Sequence, residues 1–243
     1  MLDFLFELNE QTVAWMPEVV FNKSDPVHAT LMSLYSSIIE QADSAILLRQ
    51  HKKTAGVGII LRAPLEAYID LINLANDRDY IKQMAAKYHN EWLRLAENGI
   101  EGGNPYLAYF ENNPEAAAMV EERRKQLAEL GVSKVLSVYD RFAMAGMANE
   151  YRSIYNSLCS ESHNNIRALT SRHLREINGE RELIVFDDMD RASEAASLSS
   201  FIAIVMESSK IIHDYFATAA QDEIQSMAAR HSELAAVWDG ETE

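Results

Sequence analysis

The chain has 243 residues, 48% of them apolar, which is ample for the core of one large domain. Its formal net charge of −15 speaks against broad attraction to nucleic acid or anionic lipid, and its single cysteine, Cys159, excludes an internal disulfide and fits a cytoplasmic protein. No run approaches the roughly 20 consecutive apolar residues of a membrane span, and the acidic N-terminus lacks the basic leader of an export signal.

With only 9 glycines and 5 prolines among segments rich in Ala, Leu, Glu and Met, an all-α fold is expected. We read it as a multi-helix up-and-down bundle in a single domain, with a core over about 27–175 and a C-terminal helical segment over about 190–238. Residues 2–21 read as one amphipathic helix or two short ones, with bulky Leu2, Phe6, Val13 and Phe21 and with Pro17 disturbing the second half. After a turn at Asn22 to Pro26, Leu31, Leu34, Tyr35, Ile38, Ile39, Ala42, Ile46 and Leu47 trace a helical stripe. A basic connection from Gln50 to Gly56 leads into a second strong helix ending near Ala75, so the two form an antiparallel hairpin. Pro64 either kinks that helix or marks its first turn, because it offers no donor to the carbonyl of Ile60.

A third helix from Asp79 to Glu97 carries Ile81, Met84, Tyr88, Trp92 and Leu95 on one face. The glycine-containing break over 98–114 is the one plausible divider, and a charged helix from Pro114 to Leu130 is closed by Gly131. Residues 148–175 read as helix interrupted at Ser-Glu-Ser-His-Asn-Asn, whose side chains compete for backbone hydrogen bonds. Leu183 to Phe186 reads as a lone extended segment, and from Arg191 to about Trp238 runs a long alanine-rich helical pattern that breaks or projects toward a partner.

Charged groups inside apolar helices mark the candidate site. Burying a charge costs several kcal/mol, roughly, unless it is paired, so Arg62, Glu66 and His163 are expected to share a network. Arg62, Glu66 and Asp70 stand at i, i+4 and i+8 and lie along one helix face. They form either a structural ion pair or a site in which Arg62 holds an anion and Glu66 orients or deprotonates a group. His163, flanked by Ser160, Ser162, Asn164 and Asn165, sits in too polar a setting for a simple core histidine and suits proton transfer near neutral pH. Capping of a helix by the same serines and asparagines is the competing role. The run from His163 to Arg175 contains Arg167, Arg172 and Arg175 and no acid, making it a local electropositive island.

No His-Glu-x-x-His or Glu-x-x-His pair is available for a metal, and Gly56-Val57-Gly58 lacks the third glycine of a dinucleotide fingerprint, so no metal or other cofactor is expected. Cys159 reads as packing rather than as a nucleophile.

Two segments resemble a bacterial family catalogued as domain of unknown function 5677: Leu61, Arg62 and Glu66 match its Leu-Arg-x-x-x-Glu pattern, and Tyr155, Ser160 and His163 match its later Tyr-x-x-x-x-Ser-x-x-His pattern. The likeness spans about residues 30–170. That family looks like a relative of the HEPN helical bundles, many of them metal-independent ribonucleases of toxin–antitoxin and phage-defence systems. The resemblance implies a bundle that dimerises through its helices and cleaves RNA, with His163, Arg62 and Glu66 as catalytic candidates and Tyr155, Ser160, Asn164 and Arg167 contacting substrate. One element of the HEPN pattern is missing: no arginine precedes His163 at the expected four to six residues, 156–158 being Asn, Ser and Leu. The alternatives are a non-catalytic module whose Arg-Glu-His network is structural and which binds or assembles with a partner protein, and a small-molecule-binding bundle.

Overall fold

A computed structural model describes residues 1–163, 165–186 and 190–240. The chain is almost wholly helical, as the composition requires, and it divides into two compact units: Met1–Ala75 with Phe142 onward, and Asn76–Arg141.

In the first unit, α1 (Leu2–Trp15), α2 (Pro26–Gln50) and α10 (Arg191–Tyr215) pack on one another and build the core. Pro17 does end α1, in a short 3-10 turn at Met16–Glu18. The buried face of α1 is Phe4, Leu5, Leu8, Thr12 and Trp15, whereas Phe6 and Val13 point outward. Asp25 caps α2, accepting from the Val27 amide at 2.9 Å, with Pro26 at the first helical position, where its missing N–H is harmless. The predicted stripe of α2 is buried at Leu31, Tyr35, Ile38, Ile39, Ala42 and Ile46, while Leu47 is exposed.

By length and mean hydropathy α10 would also pass for a membrane span, although Ser, Glu and Lys interrupt its apolar runs. Its apolar residues Leu198, Phe201, Ile202, Val205 and Ile212 are instead buried in this core. Across it, the Tyr35 hydroxyl donates to Ser209 Oγ at 2.9 Å, which in turn donates to the Val205 carbonyl. The long C-terminal pattern breaks after α10: Ala217 adopts a positive φ of 50°, and α11 (Gln221–Gly240) turns back. Glu223 of α11 accepts from the Trp15 indole at 2.7 Å, and Arg230 grips Glu7 of α1 through two bonds of 2.7 and 2.8 Å.

α3 (Ala55–Asn76) continues through Pro64 on both sides, so the proline neither starts nor ends the helix. Gly56 lies so close to Leu48 of α2 that a Cβ would come within 2.8 Å of its methyl group, which is the close approach a short helical hairpin needs. The 148–173 region is helical in pieces: α6 (Val138–Met144) leads to α7 (Ala148–Glu150), a π turn at Tyr151–Tyr155, α8 (Asn156–Ser162) and α9 (Ile166–His173). The expected interruption falls at His163, where φ −99° and ψ 15° leave the helix, and Asn165 restarts it by capping the Arg167 amide at 2.9 Å.

Leu183 is not part of a lone extended segment; it ends β2 (Glu180–Leu183), which pairs antiparallel with β1 (Leu174–Ile177), Leu174 opposite Leu183. Asn178 and Gly179 both have positive φ, 56° and 83°, the two-residue hairpin turn that Asn-Gly favours. The same hairpin cuts the predicted helix short at His173.

The second unit holds α4 (Tyr80–Ile100), a 3-10 turn at Pro105–Phe110 and α5 (Pro114–Glu129). Leu93, Ala96 and Val120 form its core, with Trp92, Phe110 and Leu127 packed against them. Tyr88 and Leu95, expected on the apolar face of α4, are half exposed, and Arg123 of α5 lies over the rings of Tyr88 and Trp92. Cation–π cover lets large rings stay at the surface while small residues let the helices approach.

His213 on α10 is fully buried between Trp15 and Tyr35. Burial pushes its pKa down, against the opposing charges of Glu18 and Asp214. The unfolded chain therefore takes up a proton first, near pH 6.5, and stability present above that pH is lost as pH falls toward the lower folded value. We expect the urea midpoint to drop between pH 7.5 and 5.5, and to drop less in His213→Gln.

Candidate functional site

α3 and the π turn meet at a polar cluster. The i, i+4 spacing on α3 brings Arg62 Nε to Glu66 Oε1 at 3.1 Å. The same carboxylate oxygen accepts from the Tyr155 hydroxyl at 2.8 Å, and Arg62 Nη2 donates to that hydroxyl at 3.1 Å. The three groups thus close a ring of hydrogen bonds between two helical segments. Arg62 Nη1 stands 3.3 Å from His163 Nε2. Because guanidinium can only donate, a hydrogen bond there is made by the neutral tautomer that carries its proton on Nδ1.

Tyr155 is held from behind by stacking on Tyr151, 5.3 Å between ring centres, and by Phe142 at 5.0 Å. The Arg62 guanidinium lies 5.3 Å over the Tyr155 ring. Burial first, and then the bond to the Glu66 carboxylate, push the Tyr155 hydroxyl well above its ordinary range, so it is a fixed donor at neutral pH. Burial works against the charge on Arg62, but its bonds to Tyr155 and Glu66 outweigh this and leave it more firmly protonated. Tyr155 is buried, whereas Arg62 and Glu66 keep 29% and 23% of their side-chain surface open and His163 is exposed. A ligand would therefore meet Arg62 and His163, with Glu66 and Tyr155 holding Arg62 in place.

Four of the sequence candidates come together: Arg62, Glu66, Tyr155 and His163. The bonds of Arg62 do not include Asp70. Ser160 and Arg167 lie elsewhere, in a polar cavity of about 740 Å³ that they line together with Ser157, Glu161, Arg172 and Arg175. The Ser160 hydroxyl is spent on the Asn156 carbonyl at 3.1 Å. Asn164 lies outside the described residues.

Sequence reasoning missed Tyr151, Phe142 and Glu161, and read Cys159 only as packing. Tyr151 and Phe142 back the Tyr155 ring, and the i, i+4 tyrosines at 151 and 155 were the available signal. Cys159 lies close enough for its charge, if ionised, to act on both Arg62 and Tyr155. Glu161 lies against the backbone of α3 one turn before Arg62: a Cβ on Gly58 would be 2.1 Å from its Oε2, so the glycine admits the carboxylate. Among the described residues, no three His, Cys, Asp or Glu side chains are grouped to hold a metal ion.

A family model described as family of unknown function (DUF5677) matches residues 28–181, more than half of the chain. The chain belongs to DUF5677. The matched segment starts in α2 and ends in β2, so it carries the entire polar cluster and leaves out α1, α10 and α11. No curated protein and no solved structure matches the chain.

Removing the Tyr155 hydroxyl opens the ring and leaves Glu66 with one donor fewer. We expect Tyr155→Phe to cost about 1–2 kcal/mol in chemical denaturation. Glu66→Ala is expected to cost more than Tyr155→Phe, because it also leaves Arg62 charged and half-buried without its carboxylate.

Proposed function

We propose that this DUF5677 protein is a HEPN-like, metal-independent endoribonuclease of a bacterial defence or toxin–antitoxin system, with its chemistry at Arg62 and His163. The observation that carries this reading is the 3.3 Å approach of Arg62 Nη1 to an exposed histidine nitrogen. The arginine that the sequence lacks before His163 is supplied across the fold, from α3. The ring of Glu66 and Tyr155 leaves further Nη hydrogens of Arg62 available for a phosphate oxygen.

In the cleavage step, an arriving phosphodiester draws Arg62 from Nε2 and frees the imidazole lone pair. His163 takes the proton of a ribose 2′-hydroxyl, and the 2′-oxygen bonds to phosphorus as the bond to the 5′-oxygen breaks. The proton then passes to the leaving 5′-oxygen, giving a 2′,3′-cyclic phosphate and a 5′-hydroxyl. Arg62 offsets the charge that builds on the phosphate oxygens. Arg167, Arg172 and Arg175, which line the polar cavity, supply positive charge for flanking phosphates on an otherwise acidic chain.

A second reading is favoured by one observation: Tyr155 is 3% exposed and its hydroxyl closes the Arg62–Glu66 ring from within, as a structural clamp in a binding or assembly module would. Incubating a mixed RNA pool in chelator with wild type and His163→Ala separates the two. The nuclease reading expects cleavage by the wild type and a loss of about 100-fold or more in a variant whose circular dichroism is unchanged. Absence of cleavage by the wild type, or undiminished cleavage by the variant, would reject it and favour the clamp.

A further inference from the structure

The polar cavity of about 740 Å³ lies in the upper part of the roughly 300–1,000 Å³ range of small-molecule sites. Two of its arginines are uncommitted. Arg167, exposed, and Arg172, half-buried, make no side-chain hydrogen bond or ion pair to a described residue, whereas Arg175 folds back onto the Ser171 carbonyl. Each uncommitted guanidinium keeps its N–H donors for a ligand. The starts of α3, α9 and α10 also bound the cavity, at Ala55, Arg167 and Ser193, and their positive ends reinforce the arginines.

The remaining lining accepts rather than donates. Ser153, Ser160 and Ser171 spend their hydroxyl protons on nearby backbone carbonyls, at 2.8, 3.1 and 3.2 Å, so each offers the cavity lone pairs. Half-buried Glu161 is the strongest acceptor: it pairs with no described residue, although it lines the same cavity as the arginines. Its carboxylate is seated against Gly58 of α3, one turn before Arg62, where any Cβ would displace it. Asp190, by contrast, is committed to its own helix, accepting from the Ser193 amide at 2.9 Å and the Ser193 hydroxyl at 2.6 Å.

We propose that this cavity binds a phosphorylated ribose, the sugar-phosphate unit of a nucleotide, with phosphate on Arg167 and Arg172 and sugar hydroxyls on Glu161 and Ser160. A plain phosphate meets the arginines but is repelled by Glu161, and an organic cation meets Glu161 but faces two uncommitted guanidiniums. A ribose phosphate carries the anion and neutral O–H donors in one molecule and answers both. The unit is supplied by a free nucleotide or by an RNA chain. Only the second source rests on the nuclease reading, and there the cavity holds a nucleotide next to the one being cleaved.

The test is isothermal titration of the full chain, in chelator, with ADP, with 2′,3′-dideoxy-ADP and with pyrophosphate. Saturable binding of ADP at one site per chain is expected, at least about tenfold tighter than either counterpart. Arg167→Gln/Arg172→Gln should weaken ADP about tenfold or more. Glu161→Ala should narrow the preference for ADP over its dideoxy analogue and strengthen pyrophosphate, a gain that a folding defect would not produce. A single-stranded RNA hexamer added to His163→Ala, where no cleavage intervenes, identifies the source: displacement of ADP assigns the site to RNA, and ADP left in place assigns it to a free nucleotide. None of these readouts depends on turnover, so failure of the nuclease reading leaves the test standing. Absence of saturable ADP binding, equal binding of ADP and pyrophosphate or of ADP and its dideoxy analogue, or ADP affinity unchanged in the double arginine variant overturns the proposal.

Discussion

A single carboxylate oxygen, Oε1 of Glu66, ties the candidate site together. It accepts from Arg62 on its own helix and from Tyr155 on the π turn, so two segments separated by about ninety residues are held at hydrogen-bond distance. A buried or half-buried arginine is tolerated only where its charge is met, and here the carboxylate, the phenol and the aromatic face of Tyr155 meet it on one side. What remains of the guanidinium points toward His163 and solvent. The proposed phosphate contact rests on this asymmetry.

The π turn is the local feature that makes this meeting geometrically available. One extra residue per turn shifts the helix phase, and Tyr155 faces Arg62 and Glu66 of α3. Beyond it, α8 runs for two turns and stops at His163; Ser160 and Ser162 bond back to the carbonyls of Asn156 and Leu158 within α8, and Asn165 caps the next helix at the Arg167 amide. The histidine therefore sits exposed at a helix end, with its Nε2 3.3 Å from Arg62 Nη1.

Much of this was legible in the sequence. The i, i+4 pairing of Arg62 with Glu66 follows from helical geometry alone, and the break at His163 follows from side chains that compete with the helix. Tyr155, Cys159 and His163 recur every four residues, which places them on one face; Ser160, one residue on, is rotated by roughly 100° and opens onto the arginine-lined cavity instead. That rotation is why the Tyr-x-x-x-x-Ser-x-x-His pattern spans two sites. The β hairpin was missed because β1 follows α9 without a break and carries the charged Arg175 and Glu176, although Asn178-Gly179 announced the turn. In α4 the bulkiest residues were read as the buried face, while Ala96 and Gly99 are the ones that let its neighbours approach and the larger rings are covered by Arg123.

Binding of a phosphodiester by Arg62 and His163 is the claim on which the functional reading rests, and histidine NMR tests it without depending on turnover. The chain would be titrated with a single-stranded oligonucleotide lacking 2′-hydroxyls, which can bind but cannot be cleaved, while the imidazole nitrogens are followed. Saturable shifts of the His163 signals that vanish in Arg62→Gln are expected, with His28 unmoved. His163 signals that stay fixed while the oligonucleotide binds, or that move equally in Arg62→Gln, would contradict it.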